Sequence, residues 1–266
     1  MKKVWNWQNL EIAWKVEGER NDSSIAILLI HGFGASKDHW RFNQKALSAI
    51  TTCYSLDLVG FGESSQPKSI LSYENKEFNS FHYCFDNWSR QIINFCDEVI
   101  QKPVVLIGNS IGGVIALNAS KKIEKGCKGL ILIDCAQRTM DDKRLYEQSL
   151  LMRFLRPVLK TLVRQRLLSS TLFKNAANKP FIEKILKIAY PSGKNINQEL
   201  INILFEPTQR EGAKEAFRGF INLFDDHLAP YLLENLNIPV HLIWGEKDPW
   251  EPLKEAQKWQ ENYQCV

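Results

Sequence analysis

Five short runs of this chain are apolar along their length: IAILLI (25–30), CYSLDL (53–58), PVVLIG (103–108), GLILID (129–134) and PVHLIWG (239–245). A strand with one wet face alternates polar and apolar residues. A run that does not alternate is buried on both faces, as happens in a parallel sheet covered by helices on each side. Helical segments separate the runs, and Phe85, Trp88, Ile92, Phe95, Cys96 and Val99 recur at helical spacing, which supplies one such cover. The N-terminus follows a different rule. Leu10, Ile12, Trp14 and Val16 fall on one face and Glu11, Lys15 and Glu17 on the other, so with VWNW before them they read as an opening antiparallel pair.

Between Asp134 and Pro239 the strand rhythm stops and only helical patterns appear, which marks an insertion between two strands of one sheet. With 266 residues, 44% of them hydrophobic, the chain can bury the core of one large α/β domain carrying such an insert. From Leu150 to Lys187 the insert holds nine Lys or Arg residues against one acid, Glu183. Leu151, Phe154, Leu155, Val158, Leu159, Leu162 and Val163 share one helical face there, and Arg153, Arg156, Lys160 and Arg164 share the other. The preferred reading packs the apolar stripe on its own domain and leaves the basic face solvated; the alternative rests the segment on an anionic membrane surface. Pro157 indicates a helix start or a kink rather than one unbroken helix.

The net charge of +4 is too small to argue for nucleic acid as a partner. The six cysteines lie in apolar segments without C-x-x-C pairs or zinc-ligand spacing, and read as reduced core residues with no metal. The start MKKVWNWQNL has no apolar signal region, and the longest aliphatic run is far below the ~20 residues of a membrane span. A soluble cytoplasmic protein, or one peripheral to an internal membrane, is expected.

The segment GNSIGG (108–113) directly follows an apolar strand and precedes the helical run VIALNASKKI. A serine in a G-x-S-x-G turn sits on a sharp, strained strand-to-helix bend, and the glycines at 108 and 112 let backbone and helix crowd together around it. Ser110 is therefore the candidate nucleophile. A second loop, HGFGAS (31–36), also follows a strand. Acyl transfer needs two backbone N–H groups aimed at the oxygen of the tetrahedral intermediate; Ile111, after the nucleophile, and Phe33, in this loop with Gly32, are the expected donors. His31 is expected to hold the loop by hydrogen bonding rather than to act as base.

These motifs, with DLVGFGES (57–64) and WGEKDPW (244–250), stand in the order and at the spacing of the α/β-hydrolase family, which the sequence resembles over essentially its whole length. The resemblance implies an α/β-hydrolase fold: a mostly parallel central sheet with helices on both faces and an α-helical cap insertion, so that 1–135 and 231–266 form the core and 136–230 the cap. It implies a Ser-Asp-His triad, with no cofactor. The acid falls at Asp248, in the turn Gly245-Glu246-Lys247-Asp248; Asp134, at the end of the strand before the insert, is the alternative. Asp57 is expected to fix the GFG turn.

Dehalogenases and epoxide hydrolases of this fold use an aspartate at the elbow, so Ser110 points to ester hydrolysis, although amide, C–C and perhydrolysis chemistry use the same triad. The wording HGFGAS, DLVGFGES, GNSIGG and WGEKDPWEP is similar to the pheophytinase and chlorophyll dephytylase branch, which implies a small-molecule apolar ester as substrate. The family's histidine follows the acid by one more strand, and the 18 residues after Asp248 contain none. A chain that lacks the final strand, histidine loop and closing helix is the expectation, with PVHLIWG left at a sheet edge. His39, His82 and His241 are assigned no catalytic part, and His227 is a weak replacement base. The alternative is a non-catalytic module of this fold that binds an apolar ligand. The oligomeric state is not legible.

Overall fold

The computed structural model describes residues 3–18, 23–75 and 77–266. Among these residues the strands are β1 (Lys3–Trp7), β2 (Leu10–Glu17), β3 (Ala26–Ile30), β4 (Cys53–Leu56), β5 (Lys68–Ser69), β6 (Ser80–Phe81), β7 (Val104–Asn109), β8 (Cys127–Ile133) and β9 (Val240–Ile243). The α-helices are α1 (Asn43–Leu47), α2 (Phe85–Phe95), α3 (Ile111–Ser120), α4 (Leu150–Arg164), α5 (Arg166–Ala176), α6 (Lys179–Ala189), α7 (Gln198–Phe205), α8 (Ala213–Ile221), α9 (Ala229–Leu233) and α10 (Leu253–Asn262). They group into two compact units. The first comprises Met1–Ser64, Phe85–Gln137 and His227–Val266, the second Ser65–Cys84 and Arg138–Asp226. The second unit thus takes in residues 65–84, which the sequence reading places with the core, and its later segment ends before His227.

The first unit is built on a seven-stranded sheet in the order β1-β2-β4-β3-β7-β8-β9. The β1-β2 and β2-β4 pairs are antiparallel, and every pair from β4 to β9 is parallel. All five residues of β3 are buried, the expected state of a central strand covered on both faces. α2 buries Phe85, Trp88, Ile92 and Phe95, while all ten residues of α3 are buried. The N-terminal tryptophans reach the same core. Trp5 and Trp14 meet the Phe95 ring edge-on at 5.4 and 5.5 Å, and Trp7 Nε1 donates to Asn94 Oδ1 at 2.9 Å. β9 is the outermost strand on its side, and its Val240 N–H donates to the Cys265 carbonyl at 2.7 Å.

Register decides where the functional loops emerge. Ile30 of β3 stands opposite Gly108 of β7, Asn109 opposite Ile133 of β8, and Ile133 opposite Ile243 of β9. The loops holding His31, Ser110, Asp134 and Asp248 therefore leave the carboxyl ends of adjacent parallel strands, the edge where open α/β sheets bind ligands.

The second unit contains a small apolar cluster of Leu186, Leu200 and Ile201. It also has a buried polar one: Arg218 bonds to Glu74 and Ser69, and Glu215 accepts from Ser69. Helix α4 reverses the preferred sequence reading. Arg156 is buried, with Nε bonded to Asp142 Oδ1 at 2.8 Å, a further bond to the Met140 carbonyl, and its guanidinium over the Phe224 ring. Lys160 joins it on Asp142 and Phe224. Leu151, Phe154, Leu155, Val158, Leu159 and Leu162 face solvent. The side carrying Arg156 and Lys160 is the packed side because Asp142 and Phe224 offer it charge and a ring face, which the aliphatic stripe could not use. Pro157 does not start or interrupt this helix; it lies inside α4 with its ring exposed, where water can solvate the Arg153 carbonyl that lacks its donor.

Candidate active site

Ser110 has φ 53° and ψ −120°, a conformation no strand or helix uses, at the junction of β7 and α3. Such strain persists only where neighbours over-determine it. Here the Ser110 N–H donates to the Ile133 carbonyl at 3.0 Å, and the Ser110 carbonyl accepts from Ala136 and Gly113 at 3.1 and 3.0 Å. The flanking glycines are sterically required. A Cβ on Gly108 would stand 2.3 Å from the Gly112 carbonyl oxygen, and one on Gly112 2.4 Å from that of Ile30.

The loop after β3 closes directly on this turn: a Cβ at Gly32 would lie 3.2 Å from Ser110 Cβ and 3.0 Å from Asn109 Oδ1. Phe33 follows, its ring edge-on to Phe61 at 5.7 Å. Ile111 is the first residue of α3, so its N–H has no acceptor within the helix. The geometry thus gathers Gly32, Gly108, Ile111 and Gly112 around Ser110, with Phe33 the next residue of the loop.

His31 is buried, with Nδ1 2.7 Å from the Gly32 carbonyl and Nε2 accepting the Leu58 N–H at 3.0 Å. Since Nε2 accepts, Nδ1 carries the proton and donates, and the ring is neutral. Burial pushes its pKa down to about 4. Both nitrogens are committed to backbone, which makes His31 a clamp between two loops and leaves it no site for a proton from Ser110.

A buried ion pair completes the clamp. Asp57 Oδ1 accepts the Lys37 N–H at 2.6 Å, and Oδ2 accepts the Glu63 N–H at 2.8 Å and the Lys37 ammonium at 3.1 Å. Lys37 Nζ also bonds Glu63 at 2.6 Å and Asp38 at 3.1 Å. Burial alone would pull the ammonium toward neutrality, but the Asp57, Glu63 and Asp38 carboxylates reverse that and hold it charged. Gly62, at φ +54°, passes so close that a Cβ would meet the Asp57 carboxyl at 2.3 Å. Gln91 adds two bonds, accepting from Val59 N–H and donating to the Asp57 carbonyl. Sequence reasoning missed Lys37, Glu63 and Gln91, because a lysine, a glutamate and a glutamine in polar surroundings read as solvated surface.

The two candidate acids are neighbours. Asp134 follows β8 with φ 43°, and its Oδ1 accepts the Gly245 N–H at 2.6 Å. Asp248 Oδ1 accepts the N–H groups of Trp250 and Glu251 at 2.8 and 2.7 Å. Burial, and then the charge of Asp248, push the Asp134 carboxyl up. Among the described residues no histidine hydrogen-bonds to the Ser110 hydroxyl. His227, the weak replacement base of the sequence reading, lies in the first unit with Nε2 2.8 Å from Asp86 Oδ1, and Asp86 also accepts from Asn118. Asn118 lies eight residues along α3 from Ser110, about 12 Å at the rise of an α-helix. His39 is half-buried with its pKa pushed down, chiefly by burial, to about 4, and His241 is exposed on β9.

A strained serine between a buried strand and helix, closed on by a glycine loop at the carboxyl edge of a mostly parallel sheet, defines the α/β-hydrolase class, and residues 25–265 match the family described as alpha/beta hydrolase fold. The chain belongs to that family. It is 34% identical over 120 residues to (Lyso)-N-acylphosphatidylethanolamine lipase of Homo sapiens, a match covering 45% of this chain and 32% of that protein. It is 24% identical over 242 residues to the uncharacterized hydrolase YugF of Bacillus subtilis (strain 168), covering 91% of this chain and 80% of YugF. A third relative, the Sus scrofa 1-acylglycerol-3-phosphate O-acyltransferase ABHD5, is 32% identical over 122 residues, covering 46% of this chain and 32% of that protein. The chain thus aligns with about a third of the length of the lipase and the acyltransferase. Among solved structures, a membrane phospholipase A superposes with a TM-score of 0.67 at 24% identity, over 99% of this chain and 76% of that one. The meta-cleavage product hydrolase of Pseudomonas fluorescens IP01 gives 0.70 at 18% identity, over 99% and 86%. These likenesses establish the fold.

Proposed function

We propose that this protein is a serine hydrolase that cleaves carboxylic esters of long apolar acyl or alkyl groups through an acyl-enzyme. The strained backbone of Ser110 at the β7–α3 junction is the observation that carries the reading. In it, Ser110 Oγ attacks the ester carbonyl while the N–H groups of Ile111 and Phe33 receive the developing oxyanion. The C–O bond to the alcohol breaks, a proton passes from Ser110 to the leaving oxygen, and water then releases the acid. Asp248 is the acid that would orient a histidine, being fixed by two N–H donors; Asp134 stands beside it with its carboxyl pushed up by burial.

The lipase and acyltransferase among the relatives support an apolar lipid-like ester. The wording GNSIGG and WGEKDPWEP favours, within that class, a phytyl ester such as that of chlorophyll or pheophytin. One specific observation favours a second reading, a non-catalytic module binding an apolar ligand: among the described residues no histidine is bonded to Ser110.

A fluorophosphonate probe separates the two. We expect labelling of Ser110 alone, lost in Ser110→Ala, and p-nitrophenyl ester turnover that rises with acyl length and, where slow, is raised by added imidazole in the wild type but not in Ser110→Ala. Labelling that persists in Ser110→Ala removes the nucleophile assignment. No labelling and no imidazole effect, with retained binding of long-chain esters, selects the binding module.

A further inference from the structure

We propose that the outward face of α4 is a docking surface for an anionic lipid bilayer. Leu150, Leu151, Phe154 and Val158 are 78, 67, 82 and 57% exposed, and with Leu155 and Leu159 they cover about half the helix circumference. Single exposed leucines are ordinary, but a contiguous apolar face of this extent is a contact surface. The face is not left over from poor packing. The opposite side of the same helix is firmly held, by Arg156 and Lys160 on Asp142 and Phe224, so the helix cannot roll its apolar stripe inward without stripping a buried guanidinium of its partners.

What covers the face is decided by charge. Arg153 and Arg164 are exposed along the flank of the apolar arc, and of the nine basic residues from Leu150 to Lys187 three, Arg156, Lys160 and Arg166, are paired with Asp142 or Glu215, leaving six against the one acid of that stretch. A second copy of this chain would bring two such basic surfaces together and repel. An anionic bilayer attracts the flank and takes the leucine and phenylalanine side chains below its headgroups, the pairing that holds amphipathic basic helices in a membrane interface. An open apolar recess lined by Pro157, Val158, Thr161 and Leu162 lies on this same helix. Among the described residues no helix is long and apolar enough to cross a membrane, so the contact is interfacial. The inference does not rest on Ser110 chemistry, and its test reads binding alone.

The full chain is floated with vesicles of phosphatidylcholine, with and without phosphatidylglycerol, at low and high salt, and its mass in solution is followed with concentration. We expect association with the phosphatidylglycerol vesicles, weakened by salt. We expect about a tenfold or greater loss in the Phe154→Asp, Val158→Asp double variant and in the Arg153→Glu, Arg164→Glu double variant, with thermal unfolding unchanged since these side chains are exposed. Equal binding to both vesicle types, or binding that survives the substitutions, overturns the proposal. So does failure to bind either vesicle. A dimer that forms with concentration and is lost in Phe154→Asp, Val158→Asp assigns the face to a second copy instead.

Discussion

Gly108 and Gly112 bear on the nucleophile through space rather than chemistry. Replacing either by alanine puts a methyl group 2.3 or 2.4 Å from a backbone carbonyl oxygen, neither of which can swing aside as a side chain would. We expect each substitution to destabilise by about 1–3 kcal/mol or more in urea unfolding and to slow fluorophosphonate labelling of Ser110. Lys37 acts one layer further out. Lys37→Met leaves the Asp57 carboxylate buried without its cation, a change that costs about 3–5 kcal/mol. Adding Asp57→Asn should recover part of that loss, because the residual penalty is the stranded charge; an additive double variant would show that Lys37 and Asp57 contribute independently.

Helix α4 gives its own prediction, because its faces are exchanged relative to an ordinary surface helix. In such a helix a leucine costs more to truncate than an arginine. Here Arg156→Met, which takes one of the two cations from Asp142 and Phe224 and leaves the Met140 carbonyl without its donor, should destabilise by about 1–3 kcal/mol. Leu151→Ala, at an exposed position, should change stability by less than about 0.5 kcal/mol. Chemical unfolding of the two variants checks the order; a larger effect at Leu151 would mean that the apolar stripe is the packed face. Periodicity could not have told the two apart. Seven apolar and four basic residues at helical spacing define two faces, and only Asp142 and Phe224, distant in the sequence, say which is inside.

At the scale of the whole molecule, two histidines contribute to the response to acid. His31 and His39 both have pKa values pushed down by burial from 6.5 to about 4, so between those values the unfolded chain binds protons that the folded chain does not. Their contribution is fully present above pH 6.5 and is lost as pH falls toward 4, by an amount of order 3 kcal/mol for each. The melting temperature should therefore drop between pH 7 and pH 5, and His39→Gln should flatten that slope; a flat profile in the wild type would refute the assignment of both rings as neutral in the folded chain.

The parallel sheet and the elbow were legible in the sequence for a local reason. Non-alternating apolar runs such as IAILLI have only one environment that suits them, and G-N-S-I-G meets a steric demand contained within a few residues. Family membership followed from the same stretches in their order along the chain. What a single sequence cannot encode locally was decided by tertiary structure. It put Lys37 in the interior, where Asp57 and Glu63 of the turn after β4, some 20 to 26 positions on, meet its ammonium. It gave residues 65–84 to the second unit, and it tied His227 to Asp86, 141 positions away in the chain. It also turned the leucines of α4 outward. In each case the side chain's environment is made by partners far off along the chain, and a charge or an apolar stripe carries no mark of the neighbour that folding will bring to it.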